Sequence, residues 1–341
     1  MKNKIVLSVA VLATTLMASD AELRTMAKQA GLKAIPTDKA ELNKLIDNPK
    51  NPITSEKVEL GKKLYFDPRL SKSGLISCNT CHNLSFGGAD GVPAATGHKW
   101  AANPSHLNSP TVYNSVFFNS QFWDGRDPHL EAQAQGPAQA DVEMAATPKH
   151  IEGVVNSMPE YVEEFKKAYG KDVKITFEKV TDTIATFERT LVTPSAFDDF
   201  LNGDDKAMTP AQKDGLKTFI DKGCATCHTD IALGGSMNAF GITGEYKYQD
   251  VGGFKGDKNG MVKVPTLRNI TQTAPYFHNG QFWDIKDAIK EMGRIQLAAD
   301  INDKEAASIE AFMTSLDGRK EPIVLPQLPN PTASTPKPDL N

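Results

Sequence analysis

The chain has 341 residues, of which 40% are hydrophobic and 23% charged, and its formal net charge is −4. That balance suits a globular protein of more than one domain and argues against a nucleic-acid partner, which asks for a basic surface. All 4 cysteines fall in two short motifs, which leaves none for a disulfide scaffold.

Met1-Lys2-Asn3-Lys4 and the apolar run Ile5 to Met17 lead to the small residues Ala18-Ser19. The run is too short to span a bilayer and is closed by Asp20-Ala21-Glu22, so residues 1–19 read as a secretory signal peptide. No other stretch is long and apolar enough for a membrane span. The mature chain is expected to be soluble, exported and more negative once Lys2 and Lys4 are gone. Glu56 to Phe66 carries Val58, Leu60, Leu64 and Tyr65 at helical spacing ahead of Cys78-Asn79-Thr80-Cys81-His82. A second amphipathic helix is expected over Thr176 to Leu191. Thr193-Pro194-Ser195 and Asn202-Gly203-Asp204-Asp205 then break the pattern. Thr209-Pro210 opens a helix toward Cys224-Ala225-Thr226-Cys227-His228, and Asn302 to Leu316 gives the last one. Sustained period-two alternation is missing, so little β structure is expected. Six prolines between Pro322 and Pro338 forbid a regular helix and predict a strap or loose tail.

Two Cys-x-x-Cys pairs could build a four-thiolate zinc site or two redox dithiols. Zinc ribbons set their pairs about 15–20 residues apart, and a dithiol does not require a histidine next to it. The same trailing histidine in both copies, behind an export signal, points to two covalently attached c-type haems, with the thiols on the vinyl groups and the histidine on iron. Downstream of each copy the sequence repeats. Pro110-Thr111-Val112-Tyr113-Asn114 with Gln121-Phe122-Trp123-Asp124 matches Pro265-Thr266-Leu267-Arg268-Asn269 with Gln281-Phe282-Trp283-Asp284. The expected fold is therefore mainly α, with two cytochrome c-like domains, one haem in each. Their extents are 20–192 and 193–321, followed by the proline-rich 322–341.

In order, Cys-x-x-Cys-His, Gly-His, Asn-Ser-Pro-Thr, Gln-Phe-Trp-Asp-Gly-Arg, Val-Glu-Met, the second Cys-x-x-Cys-His, Val-Pro-Thr-Leu-Arg-Asn, Thr-Ala-Pro-Tyr-Phe-His and Met-Gly-Arg resemble the bacterial dihaem cytochrome c peroxidases over nearly the whole mature chain. The resemblance implies proximal iron ligands at His82 and His228, beside the thioether cysteines Cys78, Cys81, Cys224 and Cys227. It implies His98 as the distal ligand of the N-terminal, peroxidatic haem in the oxidised resting state, a bis-imidazole iron of low potential. Met292 is implied as the distal ligand of the C-terminal, electron-transfer haem, where a thioether raises the potential. Met237, Met261 and Met313 are its rivals by composition. Glu143 is implied as the acid–base, Gln133 as the amide that orients peroxide, and Trp123 as the ring between the haems. Asn108, Thr273 and Pro275 are implied as ligands of one interfacial calcium ion. Trp283 is expected to pack, Glu131 and Asp141 to be solvated, and His106, His129 and His150 to lie at the surface. His278 is expected to bond a propionate or main chain.

The function so implied is reduction of hydrogen peroxide to water in the periplasm. Electrons would come from a small cytochrome c or a cupredoxin, with gating by reduction of the C-terminal haem, in a homodimer. A dihaem electron carrier or haem sensor without peroxide turnover is the alternative. Oxidation of a partner protein's side chain is disfavoured, because relatives with that chemistry have tyrosine at the position of Met292.

Overall fold

A computed structural model describes residues 19–341, so the expected signal segment lies outside the described residues apart from Ser19. The helices are α1 (Asp20–Gln29), α2 (Lys39–Ile46), α3 (Ser55–Phe66), α4 (Cys78–Cys81), α5 (Leu130–Gln133), α6 (Gln135–Gln139), α7 (Pro148–Asn156) and α8 (Pro159–Tyr169). Then come α9 (Phe177–Glu188), α10 (Ala196–Leu201), α11 (Pro210–Asp221), α12 (Ile285–Leu297) and α13 (Asp303–Thr314). One short antiparallel pair, β1 (Met237–Ala239) with β2 (Met261–Lys263), sets Met237 opposite Lys263. The fold is mainly α with little sheet, as the sequence implied. None of the helices is long and apolar enough to cross a membrane, among the described residues.

Helix starts fall where capping chemistry puts them. Thr176, Thr209 and Asn302 are N-caps whose side chains accept backbone N–H groups that have no partner in the first turn, and Pro210 takes the first helical position. Two apolar cores result. The first gathers Leu60, Leu64 and Tyr65 of α3 with Val180, Ile184 and Phe187 of α9. The second gathers Leu216 and Phe219 of α11 with Ile309, Phe312 and Met313 of α13. In both, a glycine lets the helices touch: a Cβ on Gly61 would lie 2.2 Å from Thr183 O, and one on Gly215 would lie 2.0 Å from Ser308 O. Gly61→Ala would stabilise an exposed helix, but here it forces α3 off α9. We expect it to destabilise the holoprotein by about 1–3 kcal/mol in denaturant unfolding.

The chain ends cross over. Leu23 and Ala27 of α1 join the second core, although the sequence placed this stretch with the N-terminal unit. Their apolar face needs a partner, and α11 supplies it, with Lys213 Nζ reaching Asp20 at 2.8 Å. The proline-rich end runs the other way: Arg69 Nη1 donates to Pro329 O (2.7 Å), Thr332 Oγ1 to Ser157 O (2.9 Å) and the Asp339 amide to Lys72 O (2.8 Å). It is a strap on the first half.

The sequence repeat is also a structural repeat. Asn114 and Asn269 both adopt left-handed backbone (φ 61° and 60°), and their amides both donate to the hydroxyl of Thr193, at 2.8 and 2.9 Å. The corresponding Thr111 and Thr266 hydroxyls donate to Gly87 O and Ala232 O. Trp283 departs from expectation: it is 61% exposed, because the chain leaves its loop into α12 on the outer surface. Glu131 departs the other way. It is buried, accepting from Asn48 Nδ2 at 3.1 Å, with Arg189 Nε 3.6 Å away.

Candidate active site

The first cysteine motif forms α4 and the turn after it. Ser77 and Thr80 cap its start, and the His82 amide closes the turn on Cys78 O at 2.9 Å. His82 Nδ1 meets Pro110 O at 2.9 Å, so the nitrogen free for a metal is Nε2. Burial pushes the His82 pKa down, which keeps the ring neutral as ligation demands. Cys78, Cys81 and His82 line a cavity of about 340 Å³.

Gln133, at the end of α5, and Glu143, in the loop after α6, line the same cavity. Burial raises the Glu143 pKa above the ordinary carboxylate value, and the charge of Arg126 opposes that rise. Arg126 lines the cavity too, its guanidinium 3.4 Å from the centre of the Phe122 ring and 2.9 Å from Asp124. Glu188 lines it from α9, with Oε2 buried and unpartnered, and burial pushes its carboxyl up to about 8. Neither Arg126 nor Glu188 was singled out in the sequence as a site residue. Asp141 is exposed, as expected.

His98 is not on the cavity wall, although Thr96 and Gly97 are. It is half-buried and its Nδ1 has no partner. Gly97 packs so tightly on the Glu143 loop that a Cβ there would lie 1.9 Å from Val142 O and 2.8 Å from Glu143 Cα. The loops bearing His98 and Glu143 therefore touch through bare backbone.

Cys224, Cys227 and His228 line a second cavity of about 170 Å³. His228 Nδ1 is held by Leu233 O at 3.1 Å, and burial lowers its pKa to about 4. Met292 faces this cavity from α12, beside Glu291, which Arg294 grips through two 2.8 Å bonds. Of the rival methionines Met313 also lines it, whereas Met237 and Met261 do not.

Trp123 lies on the walls of both cavities, and its indole N–H donates to Asn108 O at 2.9 Å. Asn108, Thr273 and Pro275 all border the second cavity. Asn108 Nδ2 is committed to Val92 O at 2.8 Å, which turns its amide oxygen elsewhere. His278 Nε2 is buried and unpartnered there, while its carbonyl accepts the Asn108 amide at 2.8 Å. Among the other histidines, His129 is exposed and caps α5, His150 contacts Arg69 O at 3.1 Å and His106 contacts Gln281 at 3.1 Å.

The donor sets suit haem and not zinc. The two thiol pairs open into different cavities, and among the described residues no cluster of three His, Cys, Asp or Glu side chains could hold a metal ion. Burial raises the pKa of all four cysteines, to about 12 for Cys81 and about 11 for Cys224. Each histidine has Nδ1 pinned by a carbonyl and Nε2 available beside two thiols.

A model of the di-haem cytochrome c peroxidase family matches residues 55–206. The chain is 46% identical over 301 residues to the cytochrome c551 peroxidase of Pseudomonas aeruginosa, covering 84% of this chain and 86% of that one. It is also 46% identical over 295 residues to the cytochrome c551 peroxidase of Nitrosomonas europaea, with 84% and 87% covered. Among solved structures, a MauG-like protein associated with microbial copper homeostasis superposes with a TM-score of 0.69 at 23% identity, covering 80% of this chain and 92% of that chain, a likeness of fold. With identity this high over most of both chains, the protein belongs to the di-haem cytochrome c peroxidase family.

Proposed function

We propose that the first cavity is the peroxide-reducing site and the second the point of electron entry. The chemistry is H2O2 + 2 e⁻ + 2 H⁺ → 2 H2O. The observation that carries this reading is Glu143 and Gln133 facing the cavity that His82, Cys78 and Cys81 line. An electron carrier has no use for a half-buried acid there. The two haems, when bound, supply the irons that accept peroxide and relay electrons.

The chain's own residues do the rest. Cys78 and Cys81 would tether one porphyrin, with His82 the residue offered to its iron; Cys224 and Cys227 would tether the other, with His228 and Met292 the residues offered to its iron. Glu143 takes the proton from the near peroxide oxygen and returns one to the departing oxygen, while Gln133 orients the peroxide. Burial brings the Glu143 pKa closer to working pH, as an acid–base needs. Arg126 opposes that rise and keeps the carboxylate able to accept. Trp123, on both walls, shortens the path between the cofactors.

His98, which lies beside the cavity wall and not on it, would be the residue offered to the N-terminal haem in the oxidised resting enzyme, and reduction of the C-terminal haem would favour its withdrawal. The contact of Gly97 with Val142 and Glu143 supports that gate, since withdrawing His98 must shift the acid–base loop. The oxygens of Asn108, Thr273 and Pro275 would hold a calcium ion beside the second cavity, in a site of modest affinity because no carboxylate is among them. The setting is the periplasm, the donor a small cytochrome c or cupredoxin, and the enzyme a homodimer.

A His98→Ala holoprotein tests the gate. Mixed with peroxide in the fully oxidised form, it is expected to react without the prior reduction that the unsubstituted enzyme needs. A variant that still required reduction would rule out release of His98 as the gate.

A further inference from the structure

Lys263 ends β2 at the seam between the two cavities and lines both. Its amide donates to Trp123 O at 2.8 Å, which ties it to the bridging tryptophan. Its ammonium lies 4.8 Å from the centre of the Phe118 ring, and Phe118 also borders both cavities. The residue is 3% exposed. Among the described residues it makes no ion pair. Asp124, the carboxylate whose charge reaches it, is held by Arg126 at 2.9 Å. A buried ammonium without a counter-ion is strongly disfavoured, and burial accordingly lowers its pKa to about 8.

We infer that Lys263 is the common anchor for the haems, its ammonium pairing with a propionate carboxylate from each porphyrin across the Trp123 seam. This rests on the placement of one haem in each cavity. Each porphyrin carries two propionates on one edge. A single lysine reachable from both cavities can take one carboxylate from each, which offsets their mutual repulsion and fixes the two edges on either side of the indole. The same positive charge favours the ferrous form of both irons, so Lys263 raises both potentials together. It is a positioning residue and touches no peroxide.

The test is a spectroelectrochemical titration of dihaem Lys263→Met protein, beside Lys263→Arg and the unsubstituted enzyme, with haem stoichiometry checked by haemochrome spectra. In Lys263→Met the ferric-to-ferrous ratio at fixed potential is expected to rise for both haems by about tenfold, equivalent to about 59 mV in a one-electron couple. Lys263→Arg, which keeps the charge, restores most of the shift. An unchanged potential at either haem of a fully loaded Lys263→Met protein overturns the shared anchor. If the methionine variant fails to load, infrared redox difference spectra of the unsubstituted protein, with ¹³C at the propionate carboxyls, answer the same question. Ion-paired carboxylate bands from both haems support the assignment, and a freely hydrated propionate set on either haem overturns it. A stoichiometry other than two haems per unsubstituted chain would instead contradict the haem placement itself.

Discussion

Glu143→Gln is expected to lower peroxide turnover by about 10²–10⁴-fold, the usual worth of a positioned acid–base, while both haems remain attached with unaltered spectra. The amide fills the same space on the cavity wall and can still hydrogen-bond, but it cannot take a proton from one peroxide oxygen and give it to the other. Steady-state oxidation of a small cytochrome c, with haem content measured on the same sample, separates lost chemistry from lost cofactor. The pH profile is a second readout. A carboxylate must be ionised to accept the first proton, so the rate falls as pH drops through the Glu143 pKa. Burial has raised that pKa, so the fall begins at a higher pH than for an exposed glutamate. In Glu143→Gln this acidic limb disappears.

Asp198→Ala is expected to destabilise the holoprotein by about 3–5 kcal/mol, because it strands a buried guanidinium. Asp198 and Arg268 are both fully buried and meet through two bonds, Nη1 to Oδ2 at 2.9 Å and Nη2 to Oδ1 at 2.8 Å. The same carboxylate accepts the Ile35 amide at 2.7 Å, the Ser195 amide at 2.7 Å and the Ser195 hydroxyl at 2.9 Å. One side chain thus joins the segment after α1, the start of α10 and the loop after β2. Its neighbour is the control. Asp199 pairs with Arg319 at 2.7 Å, but those side chains are 29% and 59% exposed. Asp199→Ala is expected to cost under about 1 kcal/mol. Equilibrium unfolding of the two variants side by side measures the difference.

What could be read from the sequence was what local chemistry encodes. The cysteine motifs carry their geometry in five consecutive residues, and the caps at Thr176, Thr209 and Asn302 mark where their helices begin. The repeated segments around Asn114 and Asn269 pointed to two related halves, but the matching left-handed backbone at those asparagines was not read from them. Long-range contacts were not legible. No local signal shows that α1 docks on the second core, that Glu131 is drawn inside toward Arg189, or that Lys263 lies on two cavity walls. Arg126 stood within a quoted motif, yet its influence on Glu143 depends on a loop closing around the cavity. Trp283 misled because aromatic residues usually pack, and its exposure follows from the path of the chain into α12.

The central claim is that the first cavity holds an iron that becomes open to peroxide when the second is reduced. Electronic and EPR spectra of calcium-loaded holoprotein, first fully oxidised, then half-reduced with ascorbate and finally mixed with peroxide, test it directly. The account predicts a low-spin N-terminal haem that turns high-spin on half-reduction and then consumes peroxide. Two haems that stay low-spin and leave peroxide untouched would contradict it and make the chain an electron carrier.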